Sequence, residues 1–299
     1  MDRDTALFQQ HRPRLYGLAY RMLGTPADAE DVLHDAWLRW HQQDPSTLDD
    51  AEAWLVTVTT RLALDRLRRA RTERAHYTGP WLPEPLVAED EQPELMLERS
   101  ESLSLSFMAL LERLSPDERA AFLLNQVFDY SHAEAATMLQ ISEEACRQRT
   151  HRARQRLREG RPRFSVEPQA QLRLLEKFRE ALEHPDVERL QALFAPDAVH
   201  EADGGGVVRA TLRPLHGAER IARLYAQVGL LNRERGAVHQ LRWVNGAPAL
   251  LTWMEAELTT VVWIDTDGER ILAMHALRHP GKLARLKAVT NGPDHASLS

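Results

Sequence analysis

Arg147, Gln148, His151, Arg152 and Arg154 fall within one short stretch of helical spacing. Guanidinium, carboxamide and imidazole groups presented from the N-terminal half of a helix are the chemistry that reads base edges in a DNA major groove. Arg154, Arg156 and Arg158 also suit phosphates. Cys146, Thr150, Ala153 and Leu157 share a different face, which is the side that packs. Just upstream, Ser131 to Gln140 has a short helix pattern and Ile141-Ser142 supplies a turn and a cap, the spacing of a helix-turn-helix. An arginine run is equally what a solvated helix face carries, so the segment alone leaves both readings open.

A second basic group, Arg61, Arg66, Arg68 and Arg69, closes an earlier helix pattern and suits a separated nucleic-acid strand. Asp65 shares a face with Val58 and Leu62, and a structural ion pair with Arg61 or Arg69 is expected for it. A third group mixes acids Asp28, Asp31 and Asp35 with Val32, Leu33 and Trp37. Apolar anchors beside charge suit a protein partner. A satisfied bundle helix with a wet acidic face has the same pattern.

These groups need elements to hold them. Ala6 to Leu23, Asp28 to Trp40 and Asp50 to Arg71 carry helical periodicity, separated by Gly24-Thr25-Pro26 and Asp44-Pro45-Ser46, and predict a small bundle. Tyr77 to Glu94, with Gly79-Pro80-Trp81-Leu82-Pro83-Glu84-Pro85, cannot sustain a helix or a ladder and reads as a linker. Helical spacing resumes at Leu95 to Leu114, Ser115-Pro116-Asp117-Glu118 starts another helix, and two shorter helices follow to Arg158. From Pro168 two helices precede alternating segments around Val207-Val208, Val238 to Val244, Ala249 to Met254, Leu258 to Ile264 and Ile271 to Leu277. Asn245-Gly246 and Asp267-Gly268 are hairpin signals. An α+β domain with a curved antiparallel sheet is expected there.

The net charge of −6 argues against a simple electrostatic DNA binder, but its distribution is uneven. Arginines concentrate at Arg61 to Arg74 and Arg147 to Arg163, and acids crowd Glu84 to Glu101 between them. The single cysteine, Cys146, excludes an intrachain disulfide and makes a thiolate zinc site an unfavourable reading. Apolar runs such as Ala247 to Trp253 fall short of a membrane span, and no signal-peptide core opens the chain, so the expected address is cytoplasmic, without membrane association.

Tyr130-Ser131-His132-Ala133-Glu134-Ala135-Ala136, Ser142-Glu143-Glu144-Ala145-Cys146-Arg147-Gln148-Arg149 and His151-Arg152-Ala153-Arg154 together resemble region four of extracytoplasmic-function sigma factors. Ala27 to Trp37 resembles their region-two helix, and Ala53-Trp54-Leu55 through Thr60 to Arg69 their minus-ten-reading segment. Trp81-Leu82-Pro83-Glu84-Pro85 and the C-terminal part resemble the SigJ-type members that carry a fused SnoaL-like domain. Two motifs depart from that pattern. Val207 follows Asp203-Gly204-Gly205-Gly206 where the family often has lysine, and His279-Pro280-Gly281-Lys282-Leu283 stands for Asn-Pro-Asp-Lys-Leu.

The resemblance implies a multidomain chain: two all-α sigma domains, then an α+β cone of the nuclear-transport-factor-2-like, SnoaL-like kind. The expected bounds are 1–76 for region two, 77–100 for a Pro-rich acidic linker, 101–163 for region four, 168–290 for the regulatory domain and 291–299 for a tail. It implies an RNA polymerase sigma factor, not an enzyme, whose fused domain stands in for a separate anti-sigma factor. Its partners would be core polymerase, at clamp and flap, and promoter DNA; no cofactor or metal is expected. Arg147, Gln148, His151, Arg152 and Arg154 would read the minus-thirty-five element, and Arg61, Arg66, Arg68 and Arg69 the minus-ten element. Asp28, Asp31, Val32, Asp35 and Trp37 would meet polymerase. Trp81 to Pro85 and Asp203, Gly204, Gly205 and Gly206 would form a regulatory contact, although a plain turn explains three glycines equally well.

SnoaL-like folds also host enzymes with His–Asp acid–base pairs, which makes His200, Asp203, His239 and His275 candidates to weigh. No nucleophile or metal triad accompanies them, and a non-catalytic domain is expected. Trp243, Trp253, Trp263 and Met254 could line a pocket for a small apolar molecule, or could be core.

Overall fold

The structure is a computed structural model that describes residues 3–44, 47–86, 103–160 and 167–290. It forms two compact units, one made of residues 3–76, 103 and 107–160 and the other of 77–86, 104–106 and 167–290. The acidic linker residues 87–100, the expected domain end at 163 and the tail 291–299 lie outside the described residues.

The first unit opens with α1 (Arg3–Leu23), α2 (Pro26–His41) and α3 (Ala51–Arg74). Gly24 ends α1 with φ +77°, a conformation that glycine adopts without strain. Thr25 then caps α2 by accepting from the Asp28 N–H, with Pro26 in the first turn. Asp50 caps α3 through the Ala53 N–H at 2.9 Å. Leu15, Leu18, Ala36, Trp40, Leu55, Val56 and Ala63 fill the bundle core.

The same unit continues with α4 (Leu105–Leu111) from Phe107 on, α5 (Pro116–Phe122), a π-helical turn at Leu123–Val127, α6 (His132–Leu139) and α7 (Glu143–Gly160). The first part of the expected helix from Leu95 lies outside the described residues, and the π-helical turn has no signal in the sequence. Reciprocal capping boxes pair Ser115 with Glu118 and Ser131 with Glu134. Gln140 takes a left-handed conformation, φ +55°, and Ser142 accepts from the Ala145 N–H, which makes the tight corner between α6 and α7. Both α5 and α6 pack against α3.

The second unit comprises α8 (Pro168–Glu183), α9 (Val187–Leu193), β1 (Phe194–Asp203), β2 (Leu215–His216), α10 (Ala218–Glu234), β3 (Val238–Val244), β4 (Ala247–Met254), β5 (Glu257–Thr266), β6 (Ile271–Leu277) and α11 (Pro280–Val289). The strands form one sheet in the order β2-β1-β6-β5-β4-β3. It is mixed, not antiparallel throughout, because β1 runs parallel to β6. Leu174, Phe178, Ile221, Tyr225, Leu250, Val262 and Met274 form the core between the helices and one sheet face.

The Asn245-Gly246 hairpin is as expected: both residues have positive φ, +51° and +72°, as the tight two-residue turn requires. Val207-Val208 is not a strand. It follows two glycines of positive φ, and Val207 is 66% exposed, so its β-branched pair has no ladder or core to join. The strand that does form, β1, was not anticipated. Pro196 and Asp197 interrupt its apolar pattern, and its register shifts between Phe194 and Val199. α10 and α11 were also not anticipated.

Candidate nucleic-acid interface and linker junction

On α7 the expected packing face is the observed one: Cys146, Thr150, Ala153 and Leu157 are all buried. Arg147, Gln148, His151, Arg152 and Arg154 point outward. Arg147 pairs with Glu143, and Gln148 donates to Glu144 Oε1 at 3.0 Å, each four residues back along the helix. Arg154 donates to Gln126 Oε1 at 3.0 Å. These exposed contacts hold the side chains in a row and are weak enough to exchange for base edges or phosphates.

Asp117 and Glu118, the acid pair of the first turn of α5, hold more arginine than any helix cap needs. Glu118, 5% exposed, faces Arg156 at 2.6 Å and Arg152 at 3.5 Å. Asp117 meets Arg149 at 3.3 Å on α7 and Arg68 at 2.9 Å on α3. The sequence showed the acid pair only as a helix start; its adjacency to two arginine clusters depends on tertiary packing.

On α3, Arg61 donates from Nε to the Met138 carbonyl at 2.8 Å, at the C-terminal end of α6. Guanidinium charge there also complements the negative end of the helix dipole. Arg66 forks onto Asp28 and Asp31 of α2, and Asp28 brings its other oxygen to the Thr25 hydroxyl. The Asp28 bond and the neighbouring acids raise the Arg66 pKa, although desolvation pulls the other way. Arg68 pairs with Asp65 at 3.3 Å, so Asp65 bonds three positions on and not to Arg61 or Arg69 as expected. Arg69 is exposed.

Arg119 carries no distinguishing pattern in the sequence. It is 1% exposed, and its guanidinium donates to the Leu111 and Met22 carbonyls and pairs with Glu112 at 2.6 Å. One buried side chain therefore ties α5 to the end of α1.

On α2 the structure brings Asp31 and Asp35 to the surface but not Val32, which at 3% exposure is bundle core. The expectation of Val32 as a partner anchor is corrected: its period places it against α1 and α3. Trp37 is half-buried, edge-on to Phe8 with ring centroids 5.0 Å apart. Leu38, 46% exposed beside Asp31 and Asp35 on the outer face, is the apolar surface residue that the sequence reading missed.

In the second unit Asp203 is completely buried and accepts three hydrogen bonds: from the Tyr77 hydroxyl at 2.6 Å, the Leu82 N–H at 2.8 Å and Lys282 Nζ at 2.7 Å. Lys282 also donates to the Leu82 carbonyl at 2.6 Å and lies 3.9 Å from the Trp81 ring centroid. Leu82, Pro83, Pro85 and Leu86 are buried, and the Leu86 N–H reaches Asn245 Oδ1 at 2.8 Å. Gly205, at φ +60°, passes so close that a Cβ would stand 2.1 Å from the His279 ring and 2.9 Å from the Tyr77 hydroxyl. Gly206 faces Thr78 in the same way. The glycines thus let β1 run on beneath the linker, and the sequence motifs converge on one junction.

The acid–base candidates do not converge. His200 and Asp203 lie on opposite faces of β1; His200 lines a cavity of about 440 Å³ on the helix-covered side of the sheet. Burial pushes the His200 pKa down to about 4. His239 meets Thr252 Oγ1 at 3.1 Å, and burial lowers its pKa. His275, on the other face, lies between Asp265 at 3.3 Å and Glu201 at 3.4 Å and stacks on Trp263. Burial alone would lower its pKa, but the two carboxylates outweigh it and raise it to about 9. Of the four residues expected to line the pocket only Met254 does. Trp253 and Trp263 are buried on the opposite face, because strand alternation sends odd-numbered residues of β4 and β5 away from the cavity, and Trp243, on β3, is 56% exposed. Among the described residues no His, Cys, Asp or Glu cluster could hold a metal ion, and no helix is long and apolar enough to cross a membrane.

Residues 7–73 match the family Sigma-70 region 2, and residues 104–157 match Sigma-70, region 4. The chain is 36% identical over 249 residues to the ECF RNA polymerase sigma factor SigJ of Mycobacterium tuberculosis, covering 81% of this chain and 79% of that one. It is 30% identical over 294 residues to the probable ECF RNA polymerase sigma factor SigI of the same species, covering 97% and 98%. The crystal structure of the Mycobacterium tuberculosis extracytoplasmic function sigma factor SigJ aligns with a TM-score of 0.74 at 31% identity, covering 94% of this chain and 98% of that chain.

Proposed function

The chain belongs to the extracytoplasmic-function sigma factors of the sigma-70 family, and from that premise we propose how its parts divide the work of starting transcription. The outward row Arg147, Gln148, His151, Arg152 and Arg154 reads the minus-thirty-five element from the major groove. The observation that carries this reading is the division of α7 into a fully buried face and an outward row of base- and phosphate-binding groups. Arg61, Arg66, Arg68 and Arg69 follow the separated strand at the minus-ten element. Asp31, Asp35 and Trp37, joined by Leu38, form the face of α2 that meets the polymerase clamp, with Asp28 holding Arg66 in place behind them. The region-four half sits on the flap.

The fused α+β domain regulates in place of a separate anti-sigma factor, without catalysis. Support comes from the linker: the segment that joins the two DNA-reading halves is seated on the fused domain through Asp203 and Asn245. That grip limits how far the two halves can part, and a small, largely apolar ligand in the 440 Å³ cavity is its natural modulator.

Run-off transcription with core polymerase on a promoter library tests this directly. Product specific to one promoter class is expected only when the chain is added. Arg147→Ala with Gln148→Ala should cut it about 10- to 100-fold, as expected for lost base contacts. A version ending after Arg163 should start from more or fewer promoters than the full chain, which reads the sign of the regulation. No product with any version would overturn the initiation role.

A further inference from the structure

The cavity of the fused domain has a polarity that its apolar floor does not predict. Ala202, Leu250, Val262 and Ala276 are buried and line its depth. Arg209, Arg235 and Arg278 also line it, and no aspartate or glutamate does. Arg209 and Arg235 are exposed, which puts them at the mouth, and Arg278 is half-buried between mouth and floor.

Three guanidinium groups around one opening repel one another, and a half-buried one is ordinarily matched by a carboxylate. Arg278 has no such match among the described residues. It donates to the Arg209 carbonyl, and the charged or titratable neighbours that act on it are Tyr225 and Arg235. Burial holds its pKa below the usual range. The floor cannot supply the missing charge. Burial keeps His200 neutral above about pH 4 and raises the Tyr225 phenol far from ionisation. Thr211 Oγ1, buried from solvent at the wall, makes no hydrogen bond. The lining therefore gathers positive charge and an open hydroxyl around one mouth, with no carboxylate among its residues.

We infer that the cavity takes an organic acid, with an apolar body on the floor and a carboxylate at the mouth held by Arg278, Arg235 and Thr211. This rests on the ligand reading of the cavity given above and adds the class of the ligand and its orientation. A guanidinium accepts a carboxylate through two parallel N–H···O bonds, and a neutral molecule of the same body would leave the arginines unmatched. The size is that of sites for small organic molecules, about 300–1,000 Å³.

Titration calorimetry on the full chain with two acids, decanoate and 1-naphthoate, against decanol and 1-naphthalenemethanol separates the possibilities. At least one acid should bind one-to-one and at least about tenfold more tightly than its alcohol. Arg278→Met should lose that preference while alcohol binding stays, and Arg278→Lys should restore part of it. If Arg278→Met fails to fold, Arg235→Met, at an exposed position, should reduce the preference on its own. Acid and alcohol binding alike would overturn the anion inference and leave the cavity reading standing. No binding by any of the four would overturn both.

Discussion

His275 lies between Asp265 and Glu201 beneath the Trp263 ring, and its charge state sets how much that cluster contributes to stability. Its pKa is raised from 6.5 to about 9 in the folded chain. The protonated form is favoured by folding, so its contribution is fully present below about pH 6.5 and is lost as pH rises through about 9. His275→Gln should therefore lower stability by about 2–3 kcal/mol near pH 6 and leave it nearly unchanged above about pH 9.5, read from melting curves across that window. His200 has the opposite sign. Its pKa falls to about 4, so its contribution is fully present above about pH 6.5 and is lost as pH falls from there through about 4. Neither role was visible in the sequence, because the partners of both histidines come from other strands. The recognition row of α7 was visible in full, since both its buried and its outward residues follow one helical period.

At the scale of elements, the linker shows what spacing can and cannot reveal. Trp81-Leu82-Pro83-Glu84-Pro85 is legible as non-helical from its prolines, but its seat is not, because Asp203 and Lys282 lie far along the chain. Asp203→Asn leaves Lys282 buried without its counter-charge and should cost about 3–5 kcal/mol. Chymotrypsin should then cut after Tyr77 or Trp81, which are held in the native chain. Asp203→Asn with Lys282→Met should recover much of the loss, since removing both charges is milder than removing one. The helices were legible from caps and periodicity. β1 was not, since Pro196 and Asp197 break its alternation and only the parallel pairing with β6 makes it a strand. The α5 start, Ser115-Pro116-Asp117-Glu118, is legible in the sequence as a cap but not as a site, because its arginine partners come from α3 and α7. Glu118→Gln keeps the cap geometry and loosens Arg152 and Arg156. It should raise the affinity of the isolated chain for promoter duplex several-fold in a shift assay, roughly the 1 kcal/mol gained when two half-exposed arginines are freed from a buried carboxylate.

Across the first unit, groups assigned to DNA are engaged within the chain. Arg61 bonds the end of α6 and Arg68 meets Asp117, while Arg119, which has no part in DNA reading, fastens α5 to α1. The exposed pairs are each worth roughly 0.2–1 kcal/mol, but Arg119 is buried and its bonds are charge-assisted. A fluorescence distance between labels at Gln10 and Ala133, both exposed and outside the DNA- and polymerase-binding rows, should lengthen when core polymerase is added. Arg119→Met should lengthen it without polymerase, and a distance unchanged in both cases would show that the two halves do not part on binding. The sequence displayed the two arginine clusters and the acids between them, but among the described residues the acids that bridge to both clusters are Asp117 and Glu118 of α5, outside the linker. The pairing of Asp117 and Glu118 with these arginines means that the chain carries its own counterions. Added salt weakens DNA binding by competing for phosphates, yet it also screens those internal pairs and releases arginines for use. The logarithm of promoter affinity should then fall with the logarithm of salt less steeply than the number of phosphate contacts implies. This makes initiation by this chain comparatively tolerant of changes in ionic strength.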